Sequence, residues 1–206
     1  MPLIQLNDMN KFCLTAGLYL LFYSFATAQL VDYKNSIRVG IDYMSLDAPD
    51  DLGFRYVARY ARHLANDRIV IEGSFGYLNI ENRRLVFNNF YFIGRPRQRV
   101  TADITVSFDL LRHARHALRL GGGPSVWYRK DDGLREARSI VDQNGQITGV
   151  TILNEKIDET NFGYHLAAEY EYIVGSRTTL AGRIGMANLA GAGINSIVGI
   201  NIGYRF

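Results

Sequence analysis

The chain has 206 residues, among them 20 Gly, 13 Tyr and 11 Phe against one Trp and four Pro. That length suits one domain, and that composition leans towards β structure with many turns. A formal charge of +3 is too small to point to nucleic acid, and a hydrophobic share of 48% is ordinary for a globular chain.

The first element in chain order is an export signal. Lys11 precedes the apolar run Leu18-Tyr19-Leu20-Leu21-Phe22-Tyr23, which leads into Ala26-Thr27-Ala28, a small-x-small cleavage site. Residues 1–28 therefore read as a cleaved signal peptide. Met9 is the expected biological start, because residues 1–8 carry an acid and no base. The apolar run is shorter than the ~20 residues that a spanning helix needs. Cys13, the single cysteine, falls inside the signal. The mature domain, residues 29–206, is thus expected to hold no disulfide, and a cysteine ahead of the apolar run does not suit lipidation.

Eight segments of period two follow, at residues 37–43, 54–60, 69–77, 100–110, 118–128, 162–172, 180–186 and 198–206. One face of each is apolar. The other carries Arg38, Asp42, Arg55, Arg59, Glu72, Asp103, Asp109, Arg119, Arg129, Glu169, Glu171, Arg183 and Arg205 among small residues. A soluble barrel buries the apolar face and a membrane barrel does the reverse, so alternation alone does not decide between them.

Three features favour the membrane. Most segments can extend to about 9 residues or more, the length of a tilted membrane strand. Aromatic residues gather at the ends of the apolar rows: Tyr43, Phe54, Tyr56, Phe75, Tyr77, Tyr128, Phe162 and Tyr164 at one end, Tyr60, Tyr170, Tyr172, Tyr204 and Phe206 at the other. These are two interfacial girdles. The connections also alternate, with tight ones at 63–67, 113–115 and 175–177 and long ones at 81–98 and 130–161. The expected fold is all-β, an eight-stranded antiparallel up-and-down transmembrane β-barrel with both termini on the periplasmic side.

On this pattern, the signal and the closing "GYRF", the chain resembles the small eight-stranded outer-membrane β-barrel family. The likeness is to the transmembrane domain of outer membrane protein A and to the versions common in Bacteroidota. The resemblance implies that Ile200, Ile202, Tyr204 and Phe206 form the signal read by the outer-membrane assembly machinery. Nothing follows the last strand, so no peptidoglycan-binding domain is implied.

Eight strands leave room only for side chains inside, and charges there must be paired. A four-residue turn at 64–67 sets Arg59 opposite Glu72 and, outside, Phe54 opposite Tyr77. Three-residue turns at 113–115 and 175–177 set Asp109 opposite Arg119 and Glu169 opposite Arg183. The pairs read as a polar core that fixes register; the competing reading is a charged gate openable to ions. A lipid-modifying hydrolase needs a His close to a Ser and an acid, whereas His165 and Glu169 stand about 13 Å apart on one strand. His113 and His116 flank a basic turn with no carboxylate beside them, so no metal and no cofactor is expected. Gly121-Gly122-Gly123 lies within a strand and makes room for an inward Trp127 or lets the wall bend.

The long loops are where specificity can reside. Arg83, Arg84, Phe90, Tyr91, Phe92, Arg95 and Arg97 suit lipopolysaccharide phosphates and sugars or a partner protein, although the aromatics also suit a hairpin that caps the mouth. Asn144-Gly145 between alternating residues marks a second hairpin above the membrane. The functional expectation is a monomeric integral outer-membrane protein of the Gram-negative-type envelope, non-enzymatic, with a structural or surface-interaction role. Its expected partners are outer-membrane lipid and lipopolysaccharide. The alternatives are a narrow porin-like channel or a conduit for small hydrophobic solutes, and then a lipid A-modifying enzyme.

Overall fold

The computed structural model describes residues 33–46, 51–87, 90–111, 113–143, 145–191 and 193–206. The expected signal peptide lies outside them. The strands are β1 (Asn35–Leu46), β2 (Asp51–Leu64), β3 (Ile69–Ile80), β4 (Arg83–Phe87), β5 (Phe90–Ile93), β6 (Arg97–Asp109), β7 (His116–Val141), β8 (Ile147–Val174), β9 (Thr178–Leu189) and β10 (Gly193–Arg205). β4 and β5 form a hairpin of their own, and the other eight close into one barrel in the order β1-β10-β9-β8-β7-β6-β3-β2. Every barrel neighbour is antiparallel. Closure comes from β10 against β1, with Ile37 opposite Tyr204 and Tyr43 opposite Val198. Phe206 N–H donates to the Asn35 carbonyl at 2.8 Å and Asn35 N–H returns the bond at 3.0 Å. No barrel edge is left open there.

The barrel is apolar outside and polar inside. Ile41, Tyr56, Phe75, Ile104, Phe162, Ile184 and Ile200 are exposed on the wall, while Arg38, Asp42, Arg59, Glu72, Arg119 and Glu169 are buried within it. Period two forces this division once one face is chosen, because successive side chains point to opposite sides.

Tight turns set the register at one end. Glu169 lies opposite Arg183 and Asp109 opposite Arg119. The first turn differs from the expected one: Arg59 lies opposite Ser74 and Glu72 opposite Ala61, a shift of two residues. Ala65, Asn66 and Asp67 all adopt positive φ (50°, 55° and 68°), so the turn is centred one residue later and Leu64 joins the ladder opposite Ile69. Phe54 consequently does not meet Tyr77, which lies opposite Tyr56. Asn and Asp are the non-glycine residues that best tolerate this conformation.

Gly123 meets a close approach. A Cβ there would run into the carbonyl oxygen of Ile104. This is where the regular β6–β7 pairing, present at Asp103–Ser125 and again at Val106–Gly122, is interrupted. The glycine run therefore lets two backbones crowd together at a bend in the wall.

At the opposite end β7 and β8 continue as a two-stranded arm, 26 and 28 residues long, far beyond the 9–11 that cross a bilayer. Its pairing shifts at Leu134/Glu136 and at Ile140/Val141. The tip is a short turn closed by Asp142, whose N–H donates to the Gln146 carbonyl (2.9 Å) and whose Oδ1 accepts from Gln146 N–H (2.8 Å).

Candidate functional site

The lumen is filled in layers. In the middle, Arg38 on β1 is the hub: its guanidinium binds Glu72 on β3 and Glu169 on β8, and reaches Glu171 at 3.3 Å. Glu72 also accepts from Arg183 on β9 (2.7 Å) and lies 3.6 Å from Arg59. Arg59 is held by Asp42 (2.9 Å) and Asn201, and Arg55 binds the same Asp42 at 2.6 Å. Arg119 and Arg205 converge on Glu171, the former at 2.9 Å. Buried arginines and acids thus alternate across the lumen, which is what lets charges stay out of water.

The three expected pairs have different fates within this network. Arg183 and Glu169 face each other at 3.9 Å, and Arg183 binds Glu72 more closely. Arg59 and Glu72 meet diagonally, since they are not cross-strand partners. Asp109 faces Arg119 in the ladder but serves the turn instead, accepting from Leu118 N–H (2.9 Å) and Leu111 N–H (3.3 Å). Hairpin-neighbour reasoning missed Arg38, whose acids stand across the lumen on β3 and β8. Asp42 was missed although Arg55 lies directly opposite it on the adjacent β2. Glu171, also missed, binds Arg119 on the adjacent β7 as well as the more distant Arg38 and Arg205.

Towards the long-loop end the filling turns apolar. Met44, Leu46, Leu78, Trp127, Ala187, Leu189 and Ile197 form one buried cluster. Trp127 Nε1 donates to Asp103 (3.0 Å), and the Arg55 guanidinium lies 5.6 Å from the ring centre, which ties this layer to the charges below. Beside it, His165 joins Thr105 and Ser125, both at 2.8 Å, and with Arg55, Asp103, Trp127 and Arg183 it lines a void of about 10 Å³. That is room for about one water. Above the cluster, Arg97 (3.3 Å), Arg99 (3.0 Å) and Arg129 (3.3 Å) surround the buried Asp131.

At the tight-turn end His63 bridges Ser36 (2.9 Å, Nε2) and Asp67 (Nδ1). Arg205 donates to Asp67 at 2.6 Å. Burial raises the Asp67 carboxyl, but the His63 hydrogen bond and the Arg205 and Arg119 charges outweigh it and hold the group well below the usual carboxylate range. A Ser-His-Asp chain of this order is a nucleophile arrangement in hydrolases. Here Ser36 is only 1% exposed, so the chain closes the floor of the lumen. The sequence signal for it lies in no local motif, because Ser36 and His63 sit on different strands.

The outer rim carries the expected loop residues. Arg83 stacks over Tyr91 (4.3 Å), on the β4–β5 hairpin where Arg84 pairs with Phe92 in the ladder. Phe90 and Tyr91 are exposed, whereas Phe92 and Arg97 are buried and offer no outer surface. Arg95 clasps β7: its N–H and Nε bind Asp132 at 3.0 and 2.7 Å. The bond from the Arg95 backbone N–H, together with the guanidinium, keeps the Asp132 carboxyl below its ordinary range despite partial burial. Asn82 adds a bond from Nδ2 to the Asp132 carbonyl (2.7 Å).

An eight-stranded antiparallel barrel with an apolar wall, a charged filled lumen and one long-looped end is the fold of the small outer-membrane β-barrel proteins. Among solved structures, that of Ail, the attachment invasion locus protein of Yersinia pestis, matches with a TM-score of 0.55 and 13% identity, over 85% of this chain and all of that one. Ail in complex with the heparin analogue sucrose octasulfate gives a TM-score of 0.56 and 12% identity over the same shares. A major outer membrane protein from Thermus thermophilus gives 0.52 and 10% over 84% of this chain and 99% of that one. No protein-family model matches the sequence, and no curated protein matches it.

Proposed function

We propose that this protein is an integral, non-catalytic outer-membrane barrel that acts through its long-loop end. The tight turns and both termini face the periplasm, and the β4–β5 hairpin and the β7–β8 arm stand outside the cell. The observation that carries this reading is the contrast between a lumen closed in successive layers and two ordered hairpins that project beyond the membrane zone. A plugged barrel has nothing to conduct, whereas the arm serves no part of the barrel ladder.

The partner chemistry that best fits the rim is polyanionic saccharide, such as lipopolysaccharide phosphates. Arg83 lies exposed against Tyr91 on the β4–β5 hairpin, where Phe90 is exposed as well, and Arg135 and Arg138 lie exposed on the β7–β8 arm. Ail, which shares the fold, is solved with a heparin analogue. Binding of the purified barrel to lipopolysaccharide and to sucrose octasulfate tests the reading. Binding that weakens steeply with salt, and by about tenfold in Arg83→Ala with Arg135→Ala, supports it. No binding of either polyanion at low salt overturns the saccharide partner.

Insertion by the assembly machinery through Ile200, Ile202, Tyr204 and Phe206 belongs to the same proposal. All four line the outer face at the β10–β1 seam, where they are exposed.

A further inference from the structure

The outer wall is not evenly covered. Where β1, β2, β3, β6 and β7 run side by side, a groove of about 590 Å³ is sunk into it. Its floor is made by small residues on three adjacent strands, Ala58, Gly73 and Ala102, and its flanks by Tyr60 and Phe75. Register fixes this geometry: Tyr60 lies beside Gly73, and Phe75 stands between Ala58 and Ala102. Five neighbouring strands span about 19 Å, enough for a long stretch of extended chain.

Packing does not require the groove. A Cβ on Gly73 would meet nothing within 4 Å, as at Gly182 on the same wall and in contrast to Gly123, so Gly73 together with Ala58 and Ala102 leaves open volume between the larger side chains. Arg62 continues the outward row of Tyr60, one step of about 7 Å nearer the tight-turn end. It is exposed, and its cross-strand neighbours Asn35 and Ile71 are uncharged. No acidic side chain among the described residues pairs with it. A lone guanidinium one row step beyond the groove's Tyr60, on the side of the tight turns, can present a donor fork to a phosphate.

We infer that this groove is a site for one anionic phospholipid of the leaflet on the tight-turn side. One acyl chain lies between Tyr60 and Phe75, and the phosphate rests on Arg62. The site depends on the membrane reading above, and it makes that reading specific on one side of the barrel. Gly73 gives the chain its depth, and Arg62 selects the negative headgroup.

Native mass spectrometry of the full chain, folded in micelles doped with dimyristoyl phosphatidylglycerol or dimyristoyl phosphatidylcholine, tests the site. The parent protein retains one phosphatidylglycerol in preference to phosphatidylcholine. Gly73→Leu lowers retention of both by about tenfold, and Arg62→Gln removes the preference while keeping the chain. Ala58→Leu fills the same groove from the neighbouring strand if Gly73→Leu does not fold. Equal retention by the parent and the variants overturns the site, as does displacement of phosphatidylglycerol by lipopolysaccharide in competition. A parent protein without a heat-dependent gel shift refutes the membrane reading itself, and the site with it.

Discussion

Arg38 shows how much a single buried charge carries in this lumen. It joins β1 to acids on β3 and β8, so its loss leaves Glu72 and Glu169 sharing Arg183 alone, at 2.7 and 3.9 Å, in place of two cations. Removing one partner of a buried pair costs about 3–5 kcal/mol, and Arg38→Ala is expected to fall in that range by urea unfolding from lipid vesicles. Arg138→Ala breaks a pair on the arm whose side chains are 75% and 46% exposed; its expected cost is within about 0.5 kcal/mol. Asp67 makes a pH prediction. Its folded pKa lies below the unfolded value, so its contribution is present above about pH 4 and is lost as pH falls through the folded value. Because its side chain is 37% exposed, Asp67→Asn is expected to cost only about 1 kcal/mol at pH 7. The gap between parent and variant narrows as pH falls below about 4; a gap that holds constant from neutral pH into strong acid contradicts the assignment.

At the scale of elements, the strands were legible because alternation needs no knowledge of tertiary structure. Every inward charge on the expected list is buried or half-buried, and the aromatic rows mark the wall. Register was legible where the turn chemistry was read correctly. Gly175, with φ of 71°, opens the three-residue β8–β9 turn at 175–177 that sets Glu169 opposite Arg183. The β2–β3 turn slipped because the centre lies at Asn66-Asp67 and not one residue earlier. The apolar cluster around Trp127 was not legible, since Met44, Leu46, Leu78 and Leu189 extend inward rows that further down carry charges. The arm was anticipated from Asn144-Gly145, although its continuity with β7 and β8 was not. That continuity makes it separable: replacing residues 135–153 by Asn-Gly leaves the pairing of Gly133 with Glu155 intact. The shortened protein is expected to keep its heat-dependent gel shift, with stability changed by less than about 1 kcal/mol, while polyanion binding falls. Loss of folding would show that the arm belongs to the barrel's own stability.

For the whole molecule, the order of layers decides what it can do. From the tight-turn end the lumen runs through the Ser36-His63-Asp67 floor, the Arg38 network, the Trp127 cluster and the Asp131 arginines. An ion would have to break charged pairs and then cross an apolar plug. The most direct test of a barrel that spans the membrane yet stays shut is planar-bilayer recording on protein that has already shown its heat-dependent gel shift. The parent protein is expected to insert and give no discrete conductance steps; regular open-channel steps from the parent would contradict the closed lumen, and with it a role confined to the surface hairpins.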